Sequence, residues 1–219
     1  MNEKKQNSRR EIKIVNRSRD GQVARSEGGI EIRNEGGPIS WEAKSGGCVY
    51  LALDCSSSMS GGKLNQAKRG ATEFAKEARG KGYLFGLISF DSGAFQVFAP
   101  QEEISMLHES IEPLTASGGT NMTAAIEMAA GELSMRGEGE KVIVIATDGM
   151  PNDPQSALKA GWEALREGIE IITVGTDDAD RDFLQEISSR DDLAVMVSRN
   201  SFEGGITSTA RMLPEGGRD

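Results

Sequence analysis

Short, almost uniformly apolar segments separated by amphipathic helical stretches constrain this chain more than any other feature of its sequence. Residues 48–53 (CVYLAL) and 142–146 (VIVIA) are apolar on both alternating faces. Residues 84–90, 169–174 and 193–197 are strand-sized in the same way. Residues 63–79 instead space Leu64, Ala67, Ala71, Phe74 and Ala78 as a helix does. Strands apolar on both faces require cover on both faces, so the pattern predicts a mostly parallel sheet between two helical layers. Asp91-Ser92-Gly93 reads as a tight turn into 94–98, which makes that strand antiparallel and places it at an edge. Further helices are predicted over 102–113, 121–136, 154–168, 180–189 and 202–213.

Ahead of this body the pattern changes. Residues 1–21 are charged and poor in apolar side chains, and read as a mobile tail. Residues 22–46 alternate Ile30 and Ile32 with charges, turn at Asn34-Glu35-Gly36-Gly37-Pro38, and alternate again through Ile39, Trp41 and Ala43. That predicts an N-terminal β-hairpin or pair of edge strands. The domain proper is expected over 47–214, with 215–219 as a short tail.

Charge excludes whole classes of function. Residues 1–45 carry 10 basic and 7 acidic side chains, and the remainder 15 against 27, a net charge of −12. A body that acidic lacks the basic stripe a nucleic-acid binder needs to displace counterions. No apolar run approaches the roughly 18 residues of a membrane span, and no leader pattern follows Arg9-Arg10, so the expectation is a cytoplasmic protein with no membrane partner. Cys48 and Cys55 stand at opposite parities of one strand with Cα atoms roughly 23 Å apart, too far to bridge each other. With His108 as the single histidine, the usual zinc sets are missing as well.

The chemistry concentrates where strands end. Asp54-Cys55-Ser56-Ser57-Ser58 follows the first apolar strand, and Asp148 follows 142–146. If the extended backbone persists, Asp54, Ser56 and Ser58 project to one side, and Cys55 to the other. Ser117-Gly118-Gly119-Thr120 presents a hydroxyl at the start of the 121–136 helix. In an open sheet whose first strand lies between the second and the fourth, the crevice at the strand carboxyl ends falls between Asp54 and Asp148. Two carboxylates and three hydroxyls form an all-oxygen set suited to a hard cation, Mg²⁺ or Mn²⁺, with room for an incoming partner carboxylate.

These residues resemble the metal-ion-dependent adhesion site of von Willebrand factor A domains: Asp54-x-Ser56-x-Ser58, Thr120 in a Gly-Gly-Thr loop, and Asp148 in Thr-Asp-Gly. The resemblance covers about residues 46–213 and extends to Ile171-Ile172-Thr173-Val174-Gly175 and the acidic loop after it. It implies a Rossmann-like, doubly wound α/β fold, with a six-stranded, mostly parallel sheet, one antiparallel edge strand and helices on both faces. It implies Asp54, Ser56, Ser58, Thr120 and Asp148 as the metal positions, and a protein ligand offering Asp or Glu. Met59, Ser60, Gly119, Asn121, Met150 and Asn152 then become the expected partner-binding rim. Intracellular members of the family often work in multi-protein complexes, including ones that contain an AAA+ ATPase.

Other chemistries fit less well. A haloacid-dehalogenase-like phosphatase needs an acid two residues after its nucleophile, and that position here is Ser56. Gly61-Gly62-Lys63 resembles a phosphate-binding loop, but position 57 is not Gly and Leu64 replaces the hydroxyl. A serine triad would have to use His108, which reads as a surface helix residue. Asp177, Asp178, Asp180 and Asp182 read as a helix start, where carboxylates are favoured, ahead of a second cation site. The expectation is a binding module and not an enzyme, with a scaffold whose metal only stabilises loops as an alternative.

Overall fold

The computed structural model describes residues 47–101 and 103–214. The tails expected over 1–21 and 215–219 and the hairpin expected over 22–46 lie outside the described residues. Six strands form one sheet: β1 (Gly47–Asp54), β2 (Tyr83–Phe90), β3 (Ala94–Gln101), β4 (Glu140–Thr147), β5 (Glu170–Thr176) and β6 (Ala194–Val197). Their order is β3-β2-β1-β4-β5-β6. All neighbours pair in parallel except β2 and β3, which are antiparallel with a register irregularity near Leu87. At the tight turn the Asp91 amide donates to the Gly93 carbonyl and the Gly93 amide to the Asp91 carboxylate.

Every residue of β1 is buried, the outcome its unbroken apolar run requires. Alternate side chains feed two cores. Val49, Leu51 and Leu53 join one with α1 (Lys63–Gly80), α2 (Leu107–Ile111) and α6 (Phe202–Thr209). Tyr50 and Ala52 join the other with α3 (Met122–Ser134), α4 (Pro154–Arg166) and α5 (Arg181–Ile187). Each large apolar side chain buried in these layers contributes roughly 1.5–3 kcal/mol. Cys48 and Cys55 fall in opposite cores and both thiols are free. The first layer is tight because α1 carries Gly70 where a Cβ would lie 2.9 Å from the Glu203 carbonyl of α6.

Two local expectations need correction. The helix predicted over 102–113 is only α2, five residues long. The Glu103 carboxylate accepts the Ser105 amide 2.9 Å away, a local turn that competes with helix hydrogen bonding ahead of Leu107. The extended backbone predicted through Ser58 stops at Ser56, and Ser57–Met59 is one 3₁₀ turn.

Candidate metal centre

Strand order reverses direction between β1 and β4: α1 leads away to β2 on one side, and α4 leads to β5 on the other. Such a switch point opens a crevice at the strand carboxyl ends. Asp54 ends β1 there, and Asp148 follows β4 directly.

Asp54 is fully buried. One carboxylate oxygen accepts the Ser56 amide at 2.7 Å and the other the Thr147 hydroxyl at 2.6 Å. The Thr147 hydroxyl has a single proton, so it accepts in turn from the Gly149 amide, 3.2 Å away. Burial raises the pKa of Asp54; the Thr147 and Ser56 hydrogen bonds oppose this, and the nearby Asp148 charge adds to it.

The 3₁₀ turn brings Ser58 to the same place by another route. Its hydroxyl donates to Asp148 Oδ1 at 2.6 Å, and its oxygen lies 2.9 Å from Ser56 Oγ. With the Ser58 proton committed to Asp148, Ser56 is the donor of that pair. The second Asp148 oxygen accepts the ammonium of Lys63, the first residue of α1. Lys63 is 8% exposed, and its Nζ also reaches Asp178 Oδ2 at 3.1 Å, where Arg199 binds as well at 2.7 Å. Burial works against the Lys63 charge, but the Asp148 and Asp178 contacts outweigh it and its pKa is raised. The Lys63 and Arg199 hydrogen bonds lower that of Asp178.

Loops from three elements are knitted above this network. The Ser57 amide donates to the Gly118 carbonyl, and the Ser117 amide to the Cys55 carbonyl. The Thr120 amide donates to Asn152 Oδ1 at 3.1 Å, and the Asn152 amide returns a bond to the Thr120 carbonyl. Gly118 has φ +67°, a left-handed conformation that favours glycine, and a Cβ there would crowd Ser92 Oγ at 2.6 Å. Asp54, Ser56, Ser58 and Asp148 are therefore joined in one hydrogen-bonded network. Thr120 stands beside this network without a hydrogen bond to it: its backbone pairs with Asn152, and among the described residues its hydroxyl makes no hydrogen bond.

The expected rim divides. Ser60, Met150 and Asn152 are exposed, and Gly119 and Asn121 are half-buried. Asn121 caps α3 by accepting the Ala124 amide, and Asn152 braces Thr120, so both side chains hold the loops in place. Met59 is a correction: it is fully buried in the α1-side core, because the 3₁₀ turn swings it under the loop. Asp180 caps α5 through the Phe183 amide, as a helix start does. His108 is exposed. Cys55 points into the α1-side core, and burial pushes its thiol up to about 12.

Among the described residues no three His, Cys, Asp or Glu side chains gather as a metal set. Any ion here would depend on two carboxylates and the serine and threonine hydroxyls. That donor chemistry fits a hard cation, and the network already draws one cation, the Lys63 ammonium, onto Asp148. Sequence reading missed Lys63, Thr147 and Asp178 as parts of the site. Lys63 and Asp178 both stand in patterns with other readings: Gly61-Gly62-Lys63 resembles a phosphate-binding loop, and Asp178 belongs to an acidic run that reads as a helix start.

The von Willebrand factor type A domain family model matches residues 49–208. No curated protein matches the sequence significantly. Among solved structures, the von Willebrand factor domain of the type V pili tip protein Mfa5 from Porphyromonas gingivalis is similar with a TM-score of 0.69 at 15% identity, covering 75% of this chain and 94% of that one. BatB from Bacteroides thetaiotaomicron gives 0.60 at 19% identity, covering 75% and 99%. Proximal thread matrix protein 1 from the mussel byssus, with a zinc-occupied metal-ion-dependent adhesion site, gives 0.60 at 19% identity and covers 75% of this chain but 46% of that one. The family match spans most of the chain and these neighbours share its fold, so the chain belongs to the von Willebrand factor type A domain family.

Proposed function

We propose that this domain is a non-enzymatic protein-binding module whose crevice between β1 and β4 takes a divalent cation, Mg²⁺ or Mn²⁺, and through it a partner's Asp or Glu carboxylate. The observation that carries this reading is the meeting of Asp54, Ser56, Ser58 and Asp148 in one network at the sheet's switch point. Asp54, Ser56, Ser58, Thr120 and Asp148 would hold the ion. When bound, such an ion supplies a concentrated positive charge to which a carboxylate coordinates. The residues of the chain itself do the positioning. Thr147 and the Ser56 amide fix Asp54, the 3₁₀ turn aims Ser58, and Asn152 sets the height of the Thr120 loop. On a body of net charge −12 a partner carboxylate would otherwise be repelled.

The mussel protein, with zinc in its own metal-ion-dependent adhesion site, supports the metal reading. Exposed Ser60, Met150 and Asn152 make the partner's contact rim, together with half-buried Gly119 and Asn121. We place the protein in the cytoplasm, within a multi-protein complex of the kind that contains an AAA+ ATPase. The phosphatase alternative lacks support because the position two residues after Asp54 is Ser56, which supplies no general acid for the leaving group.

The test is a calorimetric titration of chelator-stripped protein with Mg²⁺ and Mn²⁺, beside Asp54→Ala and Asp148→Ala. One-site binding lost in both variants is expected. Retention of a partner from lysate in excess chelator, by wild type and Asp148→Ala alike, would sink the reading.

A further inference from the structure

We propose that Lys63 is the resident cation of this crevice: its ammonium holds Asp148 while no metal is bound, and a divalent ion enters only by displacing it. Lys63 thereby sets the metal affinity of the centre. The inference rests on the metal-centre reading above and concerns how that centre is filled.

The position of Lys63 is unfavourable for a lysine on every local count. It is the first residue of an 18-residue helix, whose N-terminal end carries the positive pole and repels a cation. It is nine-tenths buried, which lysine side chains almost never are unless paired. Gly61 and Gly62 ahead of it take φ of +72° and +103°, so the chain bends through two left-handed residues to start α1 there. Asp148 and Asp178 are the groups that offset these costs.

The geometry makes the ammonium a direct competitor. Both Asp148 oxygens are taken, Oδ1 by the Ser58 hydroxyl and Oδ2 by Lys63. The first contact is held by a hydroxyl proton alone, and rotation of Ser58 about its Cβ–Oγ bond frees Oδ1 without displacing the serine oxygen. No such rotation frees the second. A fixed positive charge on the same carboxylate repels the metal until the lysine stem swings out.

The structure also provides a place to swing to. Asp178 Oδ2 already lies 3.1 Å from Nζ and its side chain is 40% exposed, so an ammonium released from Asp148 keeps one carboxylate while it regains water. Arg199 binds the same oxygen at 2.7 Å and holds the acceptor in position. Metal loading on this account exchanges one counter-cation for another and leaves no buried carboxylate without a positive partner.

The experiment is a calorimetric titration of the full chain with Mg²⁺, and separately Mn²⁺, comparing wild type, Lys63→Gln, Lys63→Met and Asp54→Ala. Melting temperatures with and without metal are recorded for each, and circular dichroism confirms folding. At least tenfold tighter Mg²⁺ binding is expected in the two Lys63 variants, with a lower metal-free melting temperature and a larger rise on adding metal. Binding seen only in the Lys63 variants supports the inference most strongly. Unchanged or weaker binding in both Lys63 variants, with wild-type binding abolished by Asp54→Ala, overturns the role of Lys63 and leaves the metal centre standing. No binding by any of the proteins overturns both.

Discussion

The two buried carboxylates of the crevice are held by opposite means. Asp54 is tied to neutral donors that belong to the framework: the Ser56 amide and the Thr147 hydroxyl on neighbouring β4. Neither donor cancels its charge, so burial raises its pKa. Asp148 is tied to side chains with torsional freedom, a serine hydroxyl on a 3₁₀ turn and the ammonium at the tip of a four-methylene stem. One acid is built in place and the other is provided with an exchangeable partner. The difference teaches that a single crevice combines a rigid half, which sets geometry, with a replaceable half, which sets charge.

The largest test of that contrast is Lys63→Met in chelator. Removing one member of a buried pair costs roughly 3–5 kcal/mol, and here about 2–3 kcal/mol is expected because Nζ sits at the edge of the site beside Asp178. Denaturant unfolding measures it, and saturating Mg²⁺ should restore most of the loss. Thr147→Val should cost less, about 1–2 kcal/mol, by leaving the buried Asp54 oxygen and the Gly149 amide each short of a partner. Mg²⁺ should restore less of this loss, since a metal does not donate a hydrogen bond to the framework. Equal rescue of the two variants would erase the distinction between the halves.

The sequence exposed the rigid half far better than the replaceable one. Strand cores such as 48–53 and 142–146 were legible because a parallel strand must be apolar on both faces, and β1 and β4 extend them by only a residue or two at each end. Those added residues, Gly47 and Glu140 among them, join the sheet through backbone pairing and carry no apolar signal. Asp54, Ser56, Ser58, Thr120 and Asp148 were legible as oxygen donors at the ends of elements. What the spacing could not convey is how Ser58 arrives, since a 3₁₀ turn and a strand share the same letters, or that the turn buries Met59. Lys63, Thr147 and Asp178 acquire their roles from partners 85 to 115 residues distant in the chain, and local periodicity carries no trace of such pairings.

A smaller effect is expected at the exposed end of the ion chain. Asp178→Asn removes a partner from both Lys63 and Arg199, yet Lys63 keeps Asp148 and Arg199 sits at the surface. Asp178 is 40% exposed and Lys63 retains its closer partner, so the melting temperature in chelator should fall by less than in Lys63→Met. A fall as large as that of Lys63→Met would mean that Asp178, and not Asp148, is the main anchor of the ammonium, and the division between fixed and exchangeable acids would have to be redrawn.

The smallest effect is a labelling rate. Cys55 follows Asp54 directly and lies in the α1-side core, whereas Cys48 lies in the opposite core, so each thiol reports on its own layer. Both are buried, and burial pushes Cys48 up to about 11. Iodoacetamide at pH 8 should leave both unmodified in the native protein and react with both after unfolding, as read by intact-mass spectrometry. If the Asp54 half is the rigid one, Thr147→Val should speed labelling of Cys55 relative to Cys48, because it loosens the end of β1 that Cys55 directly follows. Asp178→Asn should leave both rates alone. Faster Cys55 labelling in Asp178→Asn than in Thr147→Val would place the give in the wrong half of the crevice, since it would show the β1 end depending on the outer ion pairs more than on its own hydrogen bonds.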